Sequence, residues 1–120
     1  MPDHPDHHEL TRRLLVFRDE RDWRQFHSLK DLILSLNLEA AELLELTQWQ
    51  EATAFEAAAA EPGPKQRIAE ECADIFLYLL LICERTGIDL STAAADKIKH
   101  NEQKYPVEKS KGSARKYTQL

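Results

Sequence analysis

Residues Lys65–Arg85 read KQRIAEECADIFLYLLLICER, and inside them Ile75-Phe76-Leu77-Tyr78-Leu79-Leu80-Leu81-Ile82-Cys83 runs without a polar break. That run is too short to cross a bilayer, which needs about 20 apolar residues in a helix. Gly87 follows as a stop, so the stretch predicts one helix from near Lys65 to about Arg85. A helix that is apolar on every side needs cover on every side. Three short partners within 120 residues do not supply it. Oligomerisation through this helix and the one before it is therefore expected.

Working outward, Pro62-Gly63-Pro64 marks the end of a preceding long helix that starts at Leu29 or Lys30 and reaches the neighbourhood of Ala60. Ser28, with Asp31 three residues later, forms its N-terminal cap. A first helix is predicted from Glu9 to about Asp22, with Leu10, Leu14, Phe17 and Arg21 on one face. Trp23, Phe26 and His27 fall in the connector. A fourth helix is capped by Asp89 or Ser91 and runs to about Lys104, where Pro106 breaks it. The expected organisation is a flexible arm at 1–8, one domain at 9–106 and an extended basic tail at 107–120. Four helices on short links make an all-α four-helix bundle, completed by oligomerisation. Three glycines and a middle rich in alanine, leucine and glutamate agree with that class.

The net charge of -5 argues against a general partner for polymeric nucleic acid, which normally shows a basic domain or stripe. No membrane span and no leader are read, and Cys72 and Cys83 lie in apolar sequence. A reducing, cytoplasmic setting is the expectation.

The chemistry lies in the acids. In Asn37-Leu38-Glu39-Ala40-Ala41-Glu42-Leu43-Leu44-Glu45 the carboxylates recur every third residue, which puts Glu39 and Glu42 one turn apart on one side. Glu71 and Asp74, next to Glu70, repeat the spacing on the following helix. Antiparallel packing of the two helices brings the pairs face to face. Crowded carboxylates among leucines repel one another, and only Lys30 and Lys65 lie nearby in sequence. A hard divalent cation, Mg2+, answers that repulsion and holds phosphate oxygens. A di-iron site would call for Glu-x-x-His elements, which the chain lacks. The competing reading is a solvated acidic face.

Glu39-x-x-Glu42 followed by Glu71-x-x-Asp74 resembles the metal motif of the all-α nucleoside triphosphate pyrophosphohydrolases, the MazG-like superfamily. The resemblance is nearest to the dCTP pyrophosphatase subgroup. It extends through Glu20-Arg21-Asp22-Trp23, Gln25-Phe26-His27, Gln48-Trp49, Asp89-Leu90, Lys97, Asn101, Lys104-Tyr105-Pro106 and Gly112-Ser113-Ala114-Arg115-Lys116-Tyr117.

The resemblance implies hydrolysis of dCTP or a C5-modified dCTP to the monophosphate and pyrophosphate, by water activated at Mg2+, as nucleotide-pool housecleaning in a homotetramer. It implies Glu39, Glu42, Glu71 and Asp74 as metal ligands, with Glu45 assisting catalysis. Trp23, His27, Trp49 and Tyr78 would line the base pocket. Lys30, Lys97, Asn101, Lys104, Tyr105 and Arg115 would serve the phosphates and sugar. One departure concerns Leu14, which stands where family members often carry a histidine near the base. The alternatives are a broader or dUTP-directed pyrophosphohydrolase and a non-catalytic nucleotide-binding helical oligomer.

Overall fold

The computed structural model describes residues 4–120. Among them six α-helices follow one another without a strand. They are α1 (His7–Glu20), α2 (Leu29–Glu45), α3 (Ala52–Ala59), α4 (Pro62–Thr86), α5 (Leu90–Lys104) and α6 (Val107–Ser110). Short 3-10 turns occupy Arg24–Phe26 and Tyr117–Gln119. The architecture is all-α, as expected. The chain divides into two compact units, the first ending at Gly87 and the second spanning Ile88–Leu120.

Local chemistry sets most helix ends. Asp6 caps α1 by accepting from the Glu9 N–H at 2.9 Å. At α2 the Ser28 hydroxyl accepts from the Asp31 N–H at 3.1 Å and donates to the Asp31 carboxylate at 2.8 Å, closing the expected cap. Gly87 ends α4 with a left-handed φ of 72°. The Asp89 carboxylate caps α5 by accepting from the Thr92 N–H at 3.1 Å.

Four boundaries differ from the sequence expectation. The first helix begins at His7, inside the anticipated arm, because Asp6 supplies a cap there. Residues 1–3 of that arm lie outside the described residues. The long second helix is two helices: α2 stops at Glu45 and α3 begins at Ala52. Between them the Thr47 N–H and hydroxyl both donate to the Leu44 carbonyl, at 2.9 and 2.7 Å, tightening the last turn. Trp49 then reverses the chain with φ 62°, a left-handed conformation unusual for a bulky residue. Pro62-Gly63-Pro64 is the first turn of α4 rather than a separate turn; Pro62 takes the N1 position, where its missing N–H costs nothing. Finally, the tail is not simply extended, since it contains α6 and the 3-10 turn around Tyr117.

In the first unit α4 is the central element and packs against α1, α2 and α3. The buried apolar residues are Leu32 on α2 with Leu80, Leu81 and Cys83 on α4, Leu80 being only 2% exposed. On α2, by contrast, Ile33, Leu34, Leu38 and Leu44 remain exposed, Leu38 by 58% and Leu44 by 67%.

Gly87→Ala isolates one boundary. A Cβ at Gly87 meets nothing within 4 Å, so the cost is the left-handed backbone alone. A loss of about 1 kcal/mol is expected in denaturant titration. A neutral result would show that the α4 terminus adjusts its φ freely.

Candidate active site

Helices α2 and α4 run antiparallel. Leu43, Leu44 and Thr47 near the end of α2 share a groove with Ile68 near the start of α4, while Glu39 and Glu42, earlier on α2, meet Glu71 further along α4. Carboxylate oxygens of Glu39, Glu42 and Glu71 all lie within 4.8 Å of one another. One oxygen of Glu39 and one of Glu71, each the Oε2, are buried without a hydrogen-bond partner. Buried acceptors without donors are costly. An all-oxygen set of this kind suits a hard cation.

The electrostatics carry the same strain. Burial, then hydrogen bonding to Glu42 and the charges of Glu42, Asp74 and Glu71, pushes the Glu39 carboxyl up to about 7. Burial first, then Glu42, raises Glu71 as well. Glu39 and Glu71 therefore keep their protons to higher pH than an isolated carboxyl does, and a cation would relieve the same crowding.

Asp74 lies outside the close trio. It lines an adjoining cavity of about 150 Å³ with Leu14, Phe17, Arg18, Trp23, His27, Leu77, Tyr78 and Leu81. The cavity's aromatic wall is braced: Phe17 and Trp23 meet edge to face at 5.7 Å, and the Arg21 guanidinium sits 3.7 Å from the Phe17 ring centre. His27 is held below its usual pKa by burial, then by the charges of Arg18 and Arg85, and its Nδ1 is buried without a partner.

Of the residues singled out in the sequence, Glu39, Glu42 and Glu71 converge, and Trp23, His27, Tyr78 and Asp74 share the cavity. Others stand elsewhere. Glu45 ends α2 exposed, Lys30 is exposed in its first turn, and Glu70 accepts from Gln66 Nε2 at 3.3 Å. Trp49 does not line the cavity; it is 98% exposed on the turn after α2. Lys97, Asn101, Lys104, Tyr105 and Arg115 belong to the second unit. There Lys104 Nζ lies 4.7 Å from the Tyr117 ring centre, and Tyr105 meets Tyr117 edge to face at 6.1 Å.

Phe17, Arg18, Leu77 and Leu81 were not singled out for the site. Arg18 had a signal: it follows Leu14 by one turn, placing a charge on the apolar face of α1.

The MazG-like family pattern matches residues 34–120. The dCTP pyrophosphatase 1 of Mus musculus is 42% identical over 123 residues, covering 97% of this chain and 68% of the relative. The Homo sapiens protein of the same name is 37% identical with the same coverage. Among solved structures, a pyrophosphatase from Archaeoglobus fulgidus superposes with a TM-score of 0.77 at 38% identity, covering 88% of this chain and 98% of that one.

The raised carboxyls fix a pH signature. A carboxyl whose folded pKa exceeds its unfolded value stabilises fully below the unfolded value, here 4.5, and that stability is lost as the pH rises through about 7. His27 has the opposite sign, so the carboxylate part is read by difference. In chelator, Glu39→Gln is expected to melt several degrees above wild type at pH 8 and close to it at pH 5. Equal melting of the two proteins at both pH values would contradict the crowding.

Proposed function

The chain belongs to the MazG-like family and is a nucleoside triphosphate pyrophosphohydrolase; from that premise we propose that its substrate is dCTP or a C5-modified dCTP and its metal Mg2+. The observation that carries the proposal is the trio Glu39, Glu42 and Glu71, with two buried oxygens lacking partners, beside an aromatic cavity that Asp74 also lines.

Glu39, Glu42, Glu71 and Asp74 are the residues that would hold the metal, with Glu45 assisting. When bound, Mg2+ supplies neutralisation of phosphate charge and acidification of water. The reaction adds water at the α-phosphorus, breaks the bond to the bridging oxygen and releases pyrophosphate. Several carboxylates flank the site and could take the proton that water loses, so no single residue is assigned as base. Trp23 and Tyr78 wall a cavity in which a flat base gains stacking energy.

The remaining roles rest on the family resemblance and on charge. Residues 88–120 carry seven Lys and Arg against four Asp and Glu, in a chain whose net charge is -5. Lys97, Asn101, Lys104, Tyr105 and Arg115 are assigned to phosphates and sugar, together with Lys30. Residues 9–106 form the catalytic domain in this scheme. The exposed leucines of α2 support a homotetramer, and Trp49, fully in water within one chain, is assigned to the base pocket of a neighbouring copy. A cytoplasmic role in clearing the nucleotide pool completes the proposal.

Product analysis tests it. Purified protein with dCTP and Mg2+ is expected to yield dCMP and pyrophosphate, and chelator should stop the reaction. Release of orthophosphate alone, or turnover indifferent to chelator, would overturn the assignment. Glu42→Ala and Asp74→Ala should keep the helical circular dichroism and lose at least about 100-fold in kcat. Trp49→Ala should raise KM more than it lowers kcat, since the indole stacks on the base and touches no reacting atom. An unchanged KM would remove Trp49 from the pocket.

A further inference from the structure

Arg18 is a buried charge, 7% exposed, on the wall of an apolar and aromatic cavity. Taking a guanidinium out of water is expensive unless its N–H groups find acceptors. Those groups are only partly engaged. Nε donates to Asp19 Oδ1 at 2.9 Å, and Nη2 lies 2.9 Å from the same oxygen. Nη1 is 3.8 Å from Glu84 Oε2, beyond hydrogen-bond distance. The fork is thus anchored on one edge by a carboxylate that is itself mostly in water. Nη1 has no hydrogen-bond acceptor among the described residues.

Arg18 lines the cavity, so what enters the cavity meets its side chain. A space of about 150 Å³ is the size that accepts one six-membered ring, as benzene enters an engineered cavity of that volume. A pyrimidine ring fits that space, and since the cavity opens to solvent the choice between bases falls to polar contacts. Stacking against Trp23 and Tyr78 does not distinguish cytosine from uracil or thymine, since all present the same flat face. Discrimination has to come from hydrogen bonds along the pairing edge of the base. On cytosine, N3 and O2 are adjacent acceptors. Uracil and thymine carry a proton on N3, so a donor placed there meets another donor. Two parallel N–H groups of a guanidinium match two adjacent acceptors.

We propose that Arg18 is the specificity-determining residue of the base pocket, its unengaged guanidinium N–H groups reading N3 and O2 of cytosine and rejecting the protonated N3 of uracil and thymine. The inference rests on the hydrolase function proposed above and assigns its base preference to a residue. It also accounts for Leu14 on the same wall. With an apolar side chain at that position, the polar reading of the base falls to the residue one turn further along α1. Burial, then the charges of Arg18 and Arg85, hold His27 below its usual pKa, which disfavours a second positive charge beside the guanidinium.

The test is the ratio of kcat/KM for dCTP to that for dUTP, which differ at the pairing edge and not at C5. Wild type should favour dCTP. Arg18→Met, which keeps the length and removes the donors, should collapse the ratio by about 10- to 100-fold, mostly through loss of dCTP turnover. Arg18→Lys, with a point charge in place of a fork, should retain part of the preference and carries the measurement if the methionine variant does not fold. Glu84→Gln, which weakens the link from α1 to α4 without touching the donors, should leave the ratio intact. A purely structural Arg18 would lower both substrates in parallel at constant ratio, and that result overturns the proposal. So does a wild-type enzyme that prefers dUTP. Failure to hydrolyse any nucleoside triphosphate would instead overturn the hydrolase function and this inference with it.

Discussion

Carboxylate oxygens from two helices, held within 4.8 Å of one another, push α2 and α4 apart. The buried leucines of the same two helices hold them together, and the position of everything else follows from that opposition. Leu32, Leu80 and Leu81 anchor one region of the antiparallel pair. The acids sit further along it, toward the start of α4, where burial is shallower. Deeper burial would favour the protonated form more strongly still, and in open water the carboxylates would be screened and separate. At the border the trio is crowded and still open enough that it could hold a cation.

Asp74 joins this acidic centre to the aromatic cavity. It stands one turn after Glu71 on α4, its charge acts on Glu39 and Glu71, and its side chain lines the cavity with Trp23, His27 and Tyr78. A single helix face thus presents to the cavity the Asp74 carboxylate and, four residues later, the Tyr78 ring. The connector after α1 completes the cavity because the Arg18 carbonyl accepts from the Trp23 N–H at 3.1 Å, turning the indole back toward Phe17.

Much of this was legible in the sequence where one residue type has one physical use. Gly87 as a left-handed stop, Ser28 with Asp31 as a reciprocal cap and the three-residue spacing of the acids each specify a local geometry. The break between α2 and α3 was not legible, because Thr47-Gln48-Trp49-Gln50 contains neither glycine nor proline and the reversal falls on a tryptophan. Pro62-Gly63-Pro64 misled for the complementary reason: proline ends one helix and begins another equally well. The spacing of Glu71 and Asp74 set them on one face but did not fix which belongs to the trio, since that depends on how far α2 slides along α4. Arg18 was hidden by its charge. One arginine among Arg12, Arg13, Arg21 and Arg24 reads as surface unless its place one turn after Leu14 is weighed.

The two tryptophans differ in exposure, Trp23 at 43% and Trp49 at 98%. Trp23 is packed edge-on against Phe17 at the cavity, whereas Trp49 stands almost wholly in water at the left-handed turn. The chain therefore carries two optical reporters that start from different degrees of exposure. Occupation of the cavity would cover an indole that is only partly in contact with protein. Covering of the turn between α2 and α3, whether by ligand or by another chain, would shift the other toward shorter wavelengths.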